Sequence, residues 1–154
     1  MPASFTVKRS LDIRASADRL FPQIADFNAW TAWSPYEKRD PAMKRRFSGK
    51  PSDVGAIYEW DGNRNVGQGR MEILESTPPS KVRIDLQFMK PFKAHNVAEF
   101  TFDPHGQNTT VTWAMYGPLT LMSRVMGLFI NMDKMIGRDF EAGLQNLKAL
   151  AEKK

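Results

Sequence analysis

From Ala56 to Met115 apolar side chains recur at every second position. In "KVRIDLQFMK", Val82, Ile84, Leu86 and Phe88 share one parity, and Arg83, Asp85 and Gln87 take the other. "TTVTWAMYG" puts Val111, Trp113 and Met115 in phase. In "VGQGRMEILES", Gly67, Gly69, Met71 and Ile73 alternate with Gln68, Arg70 and Glu72. Period two is the signature of a half-buried strand, because successive Cβ atoms point to opposite faces. Turn signals separate these runs: Asp61-Gly62-Asn63, Pro78-Pro79, and Asp103 to Asn108. Repeated alternation with one polar parity implies an antiparallel sheet with one wet face.

The flanks complete the pattern. Phe5, Val7, Leu11 and Ile13 predict a first strand. "SADRLFPQIADFNAW" predicts a short helix, with Ser16 or Asp18 as its cap and Pro22 in its first turn. "WTAWSPYEKRDPAM" reads as a loop, and "MKRRFSG" as a weak strand. Near the end, Phe140, Gly143, Leu147 and Leu150 lie within about 40° of Ile136 on a helical wheel, which predicts a long amphipathic helix. Met122, Val125, Met126 and Phe129 recur at three and four, so a shorter helix is expected before it. Gly143 stands in the middle of the apolar face, where glycine costs about 1 kcal/mol of helix propensity. It implies either close approach to the sheet or empty space beside it. The expected architecture is α+β: a strand, one or two short helices, six antiparallel strands and a terminal helix, in one domain over residues 1–154. A strongly curved sheet around one helix leaves a hollow between them.

Other features exclude function classes. There is no cysteine, hence no disulfide, thiolate catalysis or cysteine-ligated zinc. The formal charge of +5 is spread along the chain, and the dense spot "KRDPAMKRR" is interrupted by Asp40. No basic stripe or nucleic-acid motif accompanies it, so no nucleic-acid partner is expected. "MPASFTVKRSLDIRA" lacks the apolar run of a signal peptide. Arg124 and Asp133 interrupt the Met-rich stretch before it could span a membrane. A cytoplasmic protein without stable membrane insertion is expected.

The chain resembles the START-like superfamily and its bacterial polyketide cyclase/dehydrase (SRPBCC) family. The resemblance covers nearly the whole chain. It is carried by "VKRSLDIRASADRLFPQIADFNAWTAWSPYEK", with the Ala-Ser-Ala-Asp helix start and Trp30 and Trp33 before Ser34-Pro35. It continues through "VGQGRMEILESTPPSKVRIDLQF", "FTFDPHGQNTTVTWAMYGP" and "DFEAGLQNLKALAE". It implies the helix-grip fold of the birch-pollen allergen family and a cavity for a hydrophobic ligand. Some members are cyclases, and no invariant catalytic motif maps onto this chain.

The chemistry-bearing residues agree. His105 sits in a turn, and His95 falls on the outward parity of its strand, a poor basis for zinc. "GQG" at Gly67 to Gly69 is followed by a strand rather than a helix, so it reads as a bend or bulge. Glu59, Glu72 and Glu99 take the solvent parity, leaving no paired acid and base. Inward polar groups are Arg9, Tyr58, Trp60, Asn96 and Trp113, which either satisfy one another or orient a ligand. Met122, Met126, Met132 and Met135 cluster where the terminal helix begins, and such side chains suit irregular apolar surfaces. The expected ligand-binding residues are Trp30, Trp33, Tyr58, Trp60, Met71, Phe88, Asn96, Phe100, Trp113, Met115, Phe129 and Met132. Neither metal nor cofactor is expected. The expected function is binding or transport of a hydrophobic small molecule, lipid or polyketide-like. The alternatives are a cyclase or dehydratase acting in the same cavity, with Asn96, Tyr58 or Arg9 polarising a carbonyl, and a partner-binding module using an exposed Met/Phe surface.

Overall fold

The computed structural model describes residues 4–35, 42–62, 67–90, 94–118 and 128–152; side chains at 4, 5, 90, 94, 118, 128–133 and 135 are not described. Strand β1 (Ser4–Ile13) leads into α1 (Ala17–Ala25) and a 3-10 helix (Phe27–Ala32). Six strands follow: β2 (Lys44–Gly49), β3 (Ala56–Asp61), β4 (Gln68–Thr77), β5 (Lys81–Lys90), β6 (Ala94–His105) and β7 (Asn108–Pro118). Helix α2 (Leu128–Glu152) closes the order. The strands form one antiparallel sheet in the order β1-β7-β6-β5-β4-β3-β2. This is the α+β helix-grip architecture, and the inward parity of the sequence is its core face.

Local chemistry explains the ends. Ser16 caps α1, accepting the Arg19 N–H on Oγ at 3.2 Å. With Ser16 as the cap, Pro22 lies beyond the first turn, inside α1, contrary to the expectation. Its missing N–H removes a helical bond there, and the helix ends three residues later. Asp26 then accepts the Asn28 N–H at 2.9 Å and starts the 3-10 helix through part of the expected loop. The β6–β7 turn is also shorter than expected. Only Gly106 and Gln107 separate the strands, and Gly106 adopts φ +65°, the left-handed region a tight hairpin uses. The shorter helix expected around Met122 and Met126 lies outside the described residues.

Helix α2 runs beside β1. Arg9 reaches its middle, bonding Glu141 from Nε at 3.3 Å. At its C-terminal end the Arg14 N–H donates to Glu152 at 2.9 Å. The five-residue separation from Arg9 to Arg14 therefore matches the eleven-residue separation from Glu141 to Glu152. That agrees with rises of about 3.3 and 1.5 Å per residue. Continued backward, the same direction brings the first turns of α2 alongside the start of β1, which pairs with Gly117.

Gly143 makes a close approach rather than a void. A Cβ there would stand 2.8 Å from Trp113 Cζ3 and 3.0 Å from Pro35 Cδ. Gly137 serves a second approach, since its missing side chain leaves room for the Arg9 guanidinium.

Candidate binding site

The described site residues divide into two groups. Trp30, Trp33, Phe100 and Trp113 form one aromatic cluster with Phe140, and all are buried. Trp113 is stacked on Phe140 with centroids 4.0 Å apart and on Phe100 at 4.9 Å. The Trp30 indole donates to the Ile24 carbonyl at 2.9 Å, and the Trp33 indole to the Gln23 carbonyl at 3.0 Å. Both N–H groups thus satisfy carbonyls at the end of α1, where helical partners run out. Asn146 of α2 closes the cluster by donating to the Trp33 carbonyl at 3.0 Å.

The second group lies across the sheet toward its other end. Register places Tyr58 opposite Met71, Met71 opposite Leu86, Leu86 opposite Asn96, and Asn96 beside the β7 position of Gly117. The neighbouring row runs Trp60, Gly69, Phe88. Tyr58, Trp60 and Phe88 form a continuous edge-to-face path, with centroids 6.3 and 5.8 Å apart. Phe27 joins the two groups, 5.5 Å from Trp30 and 5.8 Å from Tyr58. Met115 is buried beside Asn96, whose Nδ2 lies 4.0 Å from its sulfur. Phe129 and Met132 fall in the first turns of α2, and their side chains, like that of Met135, lie outside the described ones.

Glycines shape this end. A Cβ at Gly69 would stand 2.4 Å from the Trp60 ring, so the indole lies directly over the bare backbone. The pairing shifts register between Gln68 and Gly69, but the extra residue is Met89 of β5, so the irregularity expected of "GQG" is carried by the partner strand opposite it. Gly117 does the same for Asn96, whose Oδ1 would lie 2.2 Å from an added Cβ.

Polar chemistry concentrates on the opposite face. His95 is exposed on β6 and bonds Asp85 Oδ1 through Nε2, while Gln87 donates to Asp85 Oδ2 at 2.9 Å. Burial pushes the Asp85 carboxyl up, but bonds from His95 and Gln87 outweigh it and hold the group below its usual range. Arg70 pairs with Glu72 at 3.1 Å, and Lys81 with Glu75 and Glu99 at 3.3 and 3.6 Å. At the hairpin, His105 bonds Thr110 at 2.8 Å. A hydrogen bond from Thr110, more than the neighbouring His105, lowers the Asp12 carboxyl. Glu59, Glu72 and Glu99 are half-buried on this outer parity. Among the described residues no three His, Asp or Glu side chains are grouped to hold a metal.

Sequence reasoning passed over two groups. The His95–Asp85 pair is diagonal across β5 and β6, and only the register reveals it. Asp139 is buried in α2, engaged by a partner. Its place on the wheel, about 60° from Ile136, was the available signal. A separate cavity of about 130 Å³ lies at the β2 edge, between Phe27, Phe47, Gly49, Pro51 and Ala56.

These features define a START-like helix-grip protein whose concave face is aromatic and methionine-lined. Residues 4–152 match the family described as polyketide cyclase / dehydrase and lipid transport, and the chain belongs to it. Among solved structures it is similar to protein CV1439 from Chromobacterium violaceum, with TM-score 0.70 and 14% identity over 97% of this chain and 98% of that one. It is also similar to SA2116 from Staphylococcus aureus, a protein of unknown function, with TM-score 0.72 and 12% identity over 98% and 95%. The steffimycin-pathway di-domain ARO/CYC protein StfQ gives TM-score 0.74 and 10% identity over 97% of this chain and 51% of that one. No curated protein matches the sequence. Among the described residues, no helix is long and apolar enough to cross a membrane.

Proposed function

We propose that the chain binds a hydrophobic small molecule at the end of the concave face formed by Tyr58, Trp60, Met71, Phe88, Asn96 and Met115. The first turns of α2, with Phe129 and Met132, would cover the ligand. The cluster of Trp30, Trp33, Phe100 and Trp113 would form the wall behind it. The observation that carries this reading is a buried amide, Asn96, set among apolar side chains where the sheet's register continues toward α2. The functions in the family description, polyketide cyclase, dehydrase and lipid transport, concern such molecules.

A cyclase or dehydratase in the same place is the second reading, and the family description, which names polyketide cyclase and dehydrase, favours it. Binding is the better-supported reading. The two rows named above hold no carboxylate or imidazole among the described residues, and both histidines are exposed. A general acid or base must come within hydrogen-bond reach of the reacting atom. Native mass spectrometry of protein purified from its source cells tests the proposal. A non-covalent small-molecule adduct, lost on denaturation, is the expected result. A bare polypeptide mass across repeated preparations would contradict it.

A further inference from the structure

We infer that the ligand carries an uncharged carbonyl or hydroxyl oxygen and that Asn96 is the residue that recognises it; this rests on the binding site proposed above. Asn96 is 6% exposed. Its amide offers two N–H donors and a carbonyl acceptor. The hydrogen bond found for it among the described residues runs from Nδ2 to Met115 Sδ at 4.0 Å. A thioether is a weak acceptor, so this contact returns little of what the amide loses on leaving water. Buried side-chain amides are ordinarily paired with oxygen or nitrogen partners.

Among the described residues, the surroundings make room for the group and supply no oxygen or nitrogen partner. Gly117 faces Oδ1 where any side chain would collide with it. Tyr58, Met71 and Leu86 continue the row across the sheet and are buried. A leucine at 96 would suit these neighbours better if packing were the only demand. An amide there fits an apolar ligand with one hydrogen-bonding oxygen, which replaces the sulfur as acceptor. The described residues of the row present no cation, so a carboxylate would be buried without a counter-charge.

The test uses two fluorescent probes on the full chain. Prodan is an apolar naphthalene with one ketone, and its emission moves to the red when that ketone accepts a hydrogen bond. Diphenylhexatriene has no hydrogen-bonding group. The wild-type protein is expected to bind both. Asn96→Leu should lose about tenfold in prodan affinity, the value of one neutral hydrogen bond, and should keep its diphenylhexatriene affinity. Bound prodan should emit further to the blue in the variant. If Asn96→Leu does not fold, Asn96→Val supplies the same comparison through the emission of bound prodan.

Decanol should displace prodan from the wild type better than decanoate does. Equal losses for both probes, or no change in affinity and emission, would overturn the role of Asn96 and leave the binding site standing. Stronger displacement by decanoate would overturn the uncharged oxygen. Failure of both probes to bind the wild type would overturn the site itself.

Discussion

Replacing Gly143 by leucine measures how the terminal helix meets the sheet. An added Cβ would lie 2.8 Å from Trp113 Cζ3 and 3.0 Å from Pro35 Cδ. Ordinary carbon–carbon contacts lie near 3.5–4.0 Å, so the first carbon alone overlaps Trp113 by about 0.7 Å or more. The Trp113 ring has little freedom to yield. It is held between Phe140 at 4.0 Å and Phe100 at 4.9 Å, and Trp33 meets it edge-on at 5.5 Å. Overpacking of this kind costs about 1–3 kcal/mol. Leucine recovers somewhat under 1 kcal/mol of helix propensity. Because the pinned ring puts the cost in the upper part of that range, about 2–3 kcal/mol, the net expectation is a loss of about 1–2 kcal/mol. For a chain of this size that lowers the melting temperature by roughly 2–8 °C. Gly143→Ala carries only the first carbon against nearly the full propensity gain, so it should lie closer to wild type. Calorimetric melts of the three proteins read the difference. A leucine variant as stable as wild type would refute the close approach and restore a void on the inner face of α2.

Three further outcomes follow from local contacts. Ser16→Ala removes the acceptor for the Arg19 N–H and should cost about 1 kcal/mol, read as a lower urea midpoint at unchanged slope. Gly69→Ala drives a Cβ to 2.4 Å from Trp60 and 2.6 Å from the Gln87 carbonyl, so about 1–3 kcal/mol should be lost; an unchanged melt would show that Trp60 does not lie over the backbone. His95→Ala should raise the Asp85 carboxyl titration followed by carbon NMR, because burial is then less opposed. A carboxylate with a lowered folded-state pKa stabilises above its unfolded value and loses that contribution as pH falls through the lowered one. The stability gap between wild type and His95→Ala should therefore be widest above about pH 4 and narrow in stronger acid.

Much of the fold was legible because its determinants are local. Alternation in "KVRIDLQFMK" and "TTVTWAMYG" fixes which side chains face inward, and β5 and β7 follow it. The wheel around Ile136 likewise anticipates the buried Phe140 and Leu147 of α2. Pairings between distant strands were not legible. Nothing near Asn96 in the chain says that Gly117 makes its space, and nothing near Gly69 says that Trp60 lies over it. Trp30 and Trp33 have the composition of a pocket wall. Their N–H bonds to the end of α1 depend on how the 3-10 helix folds back, which no periodicity reports. Pro22 was misplaced for a simpler reason: two residues could cap the helix, and Ser16 does.

The four tryptophan indoles and the Asn96 amide provide a direct map of where a ligand sits. Nitrogen-15 correlation spectra recorded during titration with prodan follow all five groups at once. The Trp60 indole and the Asn96 side-chain amide should shift progressively and saturably. The Trp30 and Trp33 indoles, held by the Ile24 and Gln23 carbonyls, should move least. Saturable shifts at Trp30 and Trp33 with Trp60 and Asn96 unmoved would contradict the proposed site and place the ligand elsewhere in the fold.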